Sequence, residues 1–152
     1  MKQKVLNPNL DALCDTGVLA ALFRSKDSNH DRSRDVVSRF SRYLVTTWPV
    51  LTEAFYLLSE IHKQWDLWHF VFARRLLLDF TFRGDVMVVG LDSPDALRMS
   101  ELMQTYASLP MDLPDASLVV VAERFNLRRV FSFDSDFRVY RPRHIRSFEV
   151  IP

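Results

Sequence analysis

"DASLVVVAERFNLRRVFSFDSDF", Asp115–Phe137, carries in one run the pattern on which the fold turns. Its first half, "DASLVVVAERFNL", follows Pro114, and proline suits the first turn of a helix. Its second half, Arg128 to Phe133, leaves a basic turn and becomes an alternating apolar stretch, the mark of a short strand. The strand stops at Asp134, and Asp136 follows two residues later. Aspartates at such a place have two readings. Their side chains bond nearby backbone donors, so they favour turns. They also supply the oxygen ligands that hard divalent ions take.

Outward from this helix–strand unit the same alternation recurs. "ALCDT" (Ala12–Thr16) reads as a short buried strand, and Gly17–Phe23 as a helix packed behind it. "HDRSRDVVSRFSRY" is an amphipathic helix with Val36, Val37, Phe40 and Tyr43 on its apolar side. "LVTT" is a second strand. Pro49 sits in the first turn of the next helix, which runs through Glu53 to about Lys63. A further helix spans Trp65 to Phe80, and "DVMVVGL" is a third strand. Ser93 as N-cap and Pro94 as first residue open a helix that ends near Ala107. "SFEVI" closes the chain as a last strand. Strands alternating with helices imply an α/β fold: a mostly parallel sheet with helices on both faces.

The composition fits this reading. With 152 residues, 48% apolar and 26% charged, the chain suits a single domain with a real core, residues 1 to about 10 forming an N-terminal extension. No apolar run approaches the roughly 20 residues of a membrane span, and "MKQKVLNPNL" lacks the apolar core of a secretory signal. Cys14 is the only cysteine, so no internal disulfide forms, in keeping with a reducing cytoplasm. A net charge of +1 excludes a broadly basic nucleic-acid sponge. Arg124, Arg128, Arg129, Arg138, Arg141, Arg143 and Arg146 lie late in the chain, either as a local patch or as a solvated face with scattered ion pairs.

In open parallel sheets, functional groups gather beyond the carboxyl ends of the strands. Asp15 ends the first strand, Asp92 the third and Asp134 the fourth. Glu53 lies about one turn into the helix after the second strand. Asp115 occupies the first turn of the helix before the fourth strand, with Asp112 three residues earlier. Each alone reads more readily as a cap or turn former. Together they point to one edge, where clustered carboxylates would repel one another without a counter-charge. All-oxygen ligands select Mg²⁺ or Mn²⁺. Such a site suits hydrolysis of a phosphodiester.

The stretches "CDTGVLAALF", "TTWPVLTEAFYLL", "SLPMDLPDASLVVVAERFNLRRVFSFDSDFRVYR" and "FEVIP" resemble the PIN-domain ribonucleases, most closely the VapC-type toxins of bacterial toxin–antitoxin pairs. The resemblance implies a PIN-like three-layer α/β/α sandwich and a Mg²⁺-dependent endoribonuclease, with Mn²⁺ as a substitute ion. It assigns Asp15, Glu53, Asp115 and Asp134 to the catalytic and metal-binding set. Asp112, Asp136 and Ser132 become supporting or second-metal candidates, and Asp134 is favoured over Asp136 as the closer ligand. Gly17 stands where many members carry Ser, so one hydroxyl near the metal is missing. The implied partners are RNA, a cognate antitoxin and a second copy of the chain, without a membrane. The rival reading is a PIN-fold binding module that does not cleave.

Other chemistries fit less well. "DSD" is also the D-x-D of haloacid-dehalogenase-type phosphatases, but there it ends the first strand, and here only residues 137–152 follow. A receiver-like domain needs a late Lys, and none occurs after Lys63. Cys14 reads as a small core residue, and His30, His62, His69 and His144 show no zinc-ligand spacing. In "WDLWHFVFARRLLLDF", apolar residues surround most of a helix, more than a sheet contact needs. The surplus is either core or a surface for another chain, with Trp68 the residue that decides between them.

Overall fold

The computed structural model describes residues 10–40, 44–60 and 67–151, the side chains of Glu60 and of residues 67–70 apart. Along the chain run β1 (Ala12–Cys14), α1 (Thr16–Leu22), α2 (His30–Phe40), β2 (Leu44–Thr47), α3 (Trp48–Glu60), α4 (Leu67–Phe82), β3 (Met87–Val89), α5 (Ser93–Thr105), α6 (Leu113–Phe125), β4 (Arg129–Phe131) and β5 (Glu149–Ile151). The five strands form one sheet in the order β3-β2-β1-β4-β5, and every pairing is parallel. Ala12, Leu13 and Cys14 of β1 and Leu44 to Thr47 of β2 are all 0% exposed. Successive side chains of a strand point to opposite faces. Complete burial of both sets therefore means that both faces of the sheet are covered, as the alternation of elements predicts.

The order of the strands decides where chemistry can sit. From β1 the chain steps outward to β2 and β3, then returns across the sheet to lay β4 on the other side of β1. The crevice outside the carboxyl ends of β1 and β4 is thus the topological switch point. Asp15 leaves β1 and Asp134 follows β4, so both border it. β3 lies at the sheet edge, two strands from β1.

Helix α6 is the core of the molecule, with Ala116 to Ala122 all buried. Asn126 ends it in the left-handed conformation (φ 56°), which asparagine tolerates better than most residues. One polar residue, Ser117, lies inside it. Its hydroxyl bonds the Pro114 carbonyl at 2.6 Å and the Thr47 hydroxyl at 2.6 Å, so burial leaves it satisfied. Ion pairs join α5 to α6: Arg98 grips Glu123 through two 3.0 Å bonds, and Arg124 bonds Asp95.

Some boundaries differ from the sequence reading. The N-cap of α5 is Asp92, not Ser93: Asp92 and Asp95 form a reciprocal capping box, at 3.0 and 3.1 Å. After β4, a 3-10 turn at Ser135–Arg138 was not expected from the sequence. The end of α2 at Tyr43, the end of α3 near Lys63 and the start of α4 at Trp65 lie outside the described residues. Among the described residues, no helix is long and apolar enough to cross a membrane.

Candidate functional site

Asp15 is the hinge between β1 and α1. Its backbone amide donates to the Phe131 carbonyl of β4 (3.0 Å), which ties the residue to both strands bordering the switch point. Its side chain caps α1, accepting from the Thr16 amide at 2.7 Å, and takes a second bond from the Ser132 hydroxyl at 2.6 Å. The residue is only 7% exposed. Burial pushes its carboxyl up to about 6. The bonds from Ser132 and Thr16 oppose that shift, and the charges of Glu53 and Asp134 add to it.

Asp115 lies in the first turn of α6, 9% exposed. Its amide donates to Asp112 Oδ1 at 2.9 Å, and its Oδ2 accepts from the Tyr140 hydroxyl at 2.7 Å. Burial raises this carboxyl to about 7. The Tyr140 bond works against that rise, while Asp112, Asp15 and Asp134 reinforce it. Asp15 and Asp115 therefore feel one another, and both feel Asp134. No cation is bonded to either among the described residues.

The remaining acids divide by role. Asp134 is exposed and accepts from the Asp136 amide at 2.9 Å, capping the 3-10 turn, while its own amide donates to Ser132 Oγ at 3.0 Å. The turn-forming reading of Asp134 is thus realised, and its proximity to Asp15 is realised with it. Asp112 likewise caps α6. Glu53 on α3 is partly exposed and has no hydrogen-bond partner among the described residues. Asp136 is half-buried, and its carboxyl is raised by partial burial and then by the charge of Asp134. Asp92 is not part of the cluster. It follows the edge strand β3, and its carboxylate is spent on capping α5.

The Ser132 oxygen links Asp15 to the backbone of Asp134. Tyr140 was missed in the sequence, because its partner lies 25 residues earlier and no local spacing marks the pair. Beside Ser132, the Phe133 ring stands 3.5 Å from where a Gly17 Cβ would lie, an ordinary contact, so nothing there requires glycine. The Arg32 guanidinium sits over the same ring at 5.9 Å and has no carboxylate partner among the described residues. Many of the late arginines are otherwise engaged. Arg124 pairs with Asp95, Arg143 with Glu101, and Arg129 with Asp11 and Glu149 at the far end of β4. Arg141 bonds backbone carbonyls.

Cys14 is fully buried, and burial followed by the Asp15 charge pushes its thiol far up, so it is no nucleophile. His30 and His144 bond the carbonyls of Ala21 and Leu127, while His62 and His69 lie outside the described side chains.

The donor set suits a hard divalent ion. Among the described residues no group of three or more His, Cys, Asp or Glu side chains is placed to hold a metal ion. Mg²⁺ does not need one: it keeps several waters and is commonly held by one or two carboxylates. Two buried carboxylates whose charge is disfavoured by burial, with no cation opposite them among the described residues, are what such an ion would relieve.

The PIN domain family model matches residues 12–141. No curated protein matches the sequence significantly. Among solved structures, VapC20 of Mycobacterium tuberculosis, a Sarcin-Ricin loop cleaving toxin, is 18% identical with a TM-score of 0.74, over 90% of this chain and 99% of that one. PAE2754 of Pyrobaculum aerophilum is 16% identical with a TM-score of 0.62, over 93% and 90% of the two chains. VapBC2 of Rickettsia felis, bound to a DNA fragment from their promoter, is 13% identical with a TM-score of 0.59, over 91% and 97%.

Proposed function

The chain belongs to the PIN domain family, and on that premise we propose that it is a Mg²⁺-dependent endoribonuclease, the toxin of a toxin–antitoxin pair. The observation that carries this reading is two buried carboxylates, Asp15 and Asp115, close enough to feel one another's charge and with no cation opposite them among the described residues. Asp15 and Asp115 would hold the ion, with Mn²⁺ as a substitute, and Glu53 and Asp134 would complete its surroundings. When bound, the ion supplies Lewis-acid stabilisation for charge growing on the phosphate and the leaving oxygen. Ser132 keeps Asp15 in one orientation. Glu53, without a competing hydrogen bond among the described residues, is the carboxylate free to accept a proton from the attacking water.

Arg32 holds the RNA backbone at the rim, a contact that positions substrate without reading its sequence. Arg32→Gln is expected to weaken binding several-fold, and to reduce the slope of log affinity against log salt by about 0.7, the value for one phosphate contact on a single strand. Fluorescence anisotropy of labelled RNA on the Asp15→Asn background checks this, and an unchanged salt slope would remove Arg32 from the substrate path.

The partners proposed are an antitoxin and a second copy of the chain. Apolar side chains outside the core support this: Val71, Phe72 and Phe82 on α4, and on α5 Leu97 and Met103, of which Met103 lines a groove of about 620 Å³. The Trp68 side chain, on which the sequence reading of α4 rested, lies outside the described residues. The test of function is cleavage mapping of total cellular RNA after induction, wild type beside Asp15→Asn. New ends in the wild type alone support the nuclease. Identical RNA in both leaves a binding module without cleavage.

A further inference from the structure

We propose that Tyr140 is a positioning residue of the acidic site, whose hydroxyl fixes one oxygen of Asp115 and so presents the other to a metal ion. The inference rests on the metal reading above and adds a residue to it. Tyr140 is 0% exposed, and its hydroxyl donates to Asp115 Oδ2 at 2.7 Å. Oδ1 of Asp115 has no hydrogen-bond partner among the described residues. The torsion that turns an aspartate carboxylate is broad when nothing restrains it. The Tyr140 bond removes that freedom and leaves Oδ1 as the unengaged oxygen.

The tyrosine is itself held firmly. Its ring meets Tyr106 edge to face at 5.1 Å and Phe137 at 5.4 Å, and Phe137 meets Phe148 at 5.9 Å. The next residue is tied down as well, since the Arg141 amide donates to the Tyr106 hydroxyl at 2.8 Å. The segment that carries Asp134 thus returns, through Tyr140, to grip the acid on α6.

The choice of donor matters. A lysine or arginine at this place would neutralise Asp115 and repel a cation. A tyrosine hydroxyl restrains the carboxylate and leaves its full negative charge for the ion. Groups that orient metal ligands in this way typically change metal affinity or activity by about 10–100-fold when removed.

Tyr140→Phe deletes the hydroxyl and keeps the ring that fills the core, so the chain folds. Titration of Mn²⁺ by calorimetry, without RNA, is the decisive measurement. Tyr140→Phe should weaken Mn²⁺ binding by about tenfold or more, and lower kcat at fixed Mn²⁺ while KM for RNA stays put. Tyr106→Phe removes a hydroxyl that bonds the Arg141 amide and does not touch Asp115, and should weaken Mn²⁺ binding far less than Tyr140→Phe does. A lower Tm for Tyr140→Phe with wild-type Mn²⁺ affinity would make the tyrosine purely structural and overturn the proposal. Equal losses in both variants would assign the effect to packing and also overturn it. Absence of Mn²⁺ binding in the wild type would overturn the metal reading itself, and this inference with it.

Discussion

Asp15→Asn and Asp115→Asn are each expected to lower RNA cleavage by at least about a hundredfold while the protein stays folded, on the scale of the several kcal/mol that a bound metal contributes to the transition state. Asparagine keeps the shape of aspartate and still accepts through its amide oxygen. The bond from Tyr140 to residue 115 therefore survives, whereas at residue 15, where the two oxygens accept from Thr16 and Ser132, the single amide oxygen keeps one of the two bonds. What is lost is negative charge in a place that already carries too much of it. Each of the two carboxylates is raised by burial first and by the other acids of the site after that. Relieving this repulsion should hold or raise the stability of the metal-free protein at neutral pH. Activity and stability thus move in opposite directions, which separates a site residue from a structural one. Circular dichroism melts beside a cleavage assay give both readouts. Wild-type cleavage in either variant, with metal still bound, would refute the site.

The division between what sequence reveals and what it hides follows from distance along the chain. Alternating strands and helices are local patterns, and the parallel sheet follows from their order. The adjacency of β1 and β4 brings Asp15 and Asp134 to one crevice, and it comes from a strand returning across the sheet. Acids at strand ends signal that crevice, but they overstate its membership. Asp92 ends a strand as Asp15 does, yet β3 is the edge strand and its acid only caps a helix. Asp134 and Asp112 show that the structural and chemical readings need not exclude each other, because one carboxylate oxygen serves the cap and the second oxygen remains. Ser132 was named only through the family resemblance, and its bond to Asp15 spans 117 residues of chain. Tyr140 was not legible, because it meets Asp115 only after the chain has passed through α6, β4 and a 3-10 turn. The cap of α5 was misplaced by one residue, since Asp92 and Ser93 are both good caps and only the reciprocal bond from Asp95 decides between them.

The pH dependence of stability is expected to reverse when metal is added. An aspartate in the unfolded chain has a pKa of about 3.9. In the folded protein Asp15 is raised to about 6 and Asp115 to about 7. Between pH 4 and 7 the folded state therefore binds more protons than the unfolded state, and stability falls as pH rises. The loss from Asp115 is on the order of 3 kcal/mol by pH 7, and it is absent below pH 4, where both states are protonated. Glu123 works in the opposite direction: burial raises its carboxyl, but the bonds and charges of Arg98 and Arg143 together outweigh burial and leave it lowered, so its contribution is present at neutral pH and fades in acid. The clean quantity is therefore the difference between wild type and Asp115→Asn, in which Glu123 cancels. The advantage of the variant should grow from pH 4 to 7 and then level off. A divalent ion competes with those same protons, so its affinity and the rise in Tm it produces should increase over the same interval. At pH 7.5, Mg²⁺ or Mn²⁺ should raise the Tm of the wild type by several degrees and that of Asp115→Asn by far less. Chelator should stop cleavage without altering the circular dichroism spectrum, because the apolar core beneath the site contains no metal ligand. Cleavage that survives exhaustive chelation, or a difference between the two proteins that stays flat from pH 4 to 7, would mean that Asp115 is neither strained by burial nor matched to an ion.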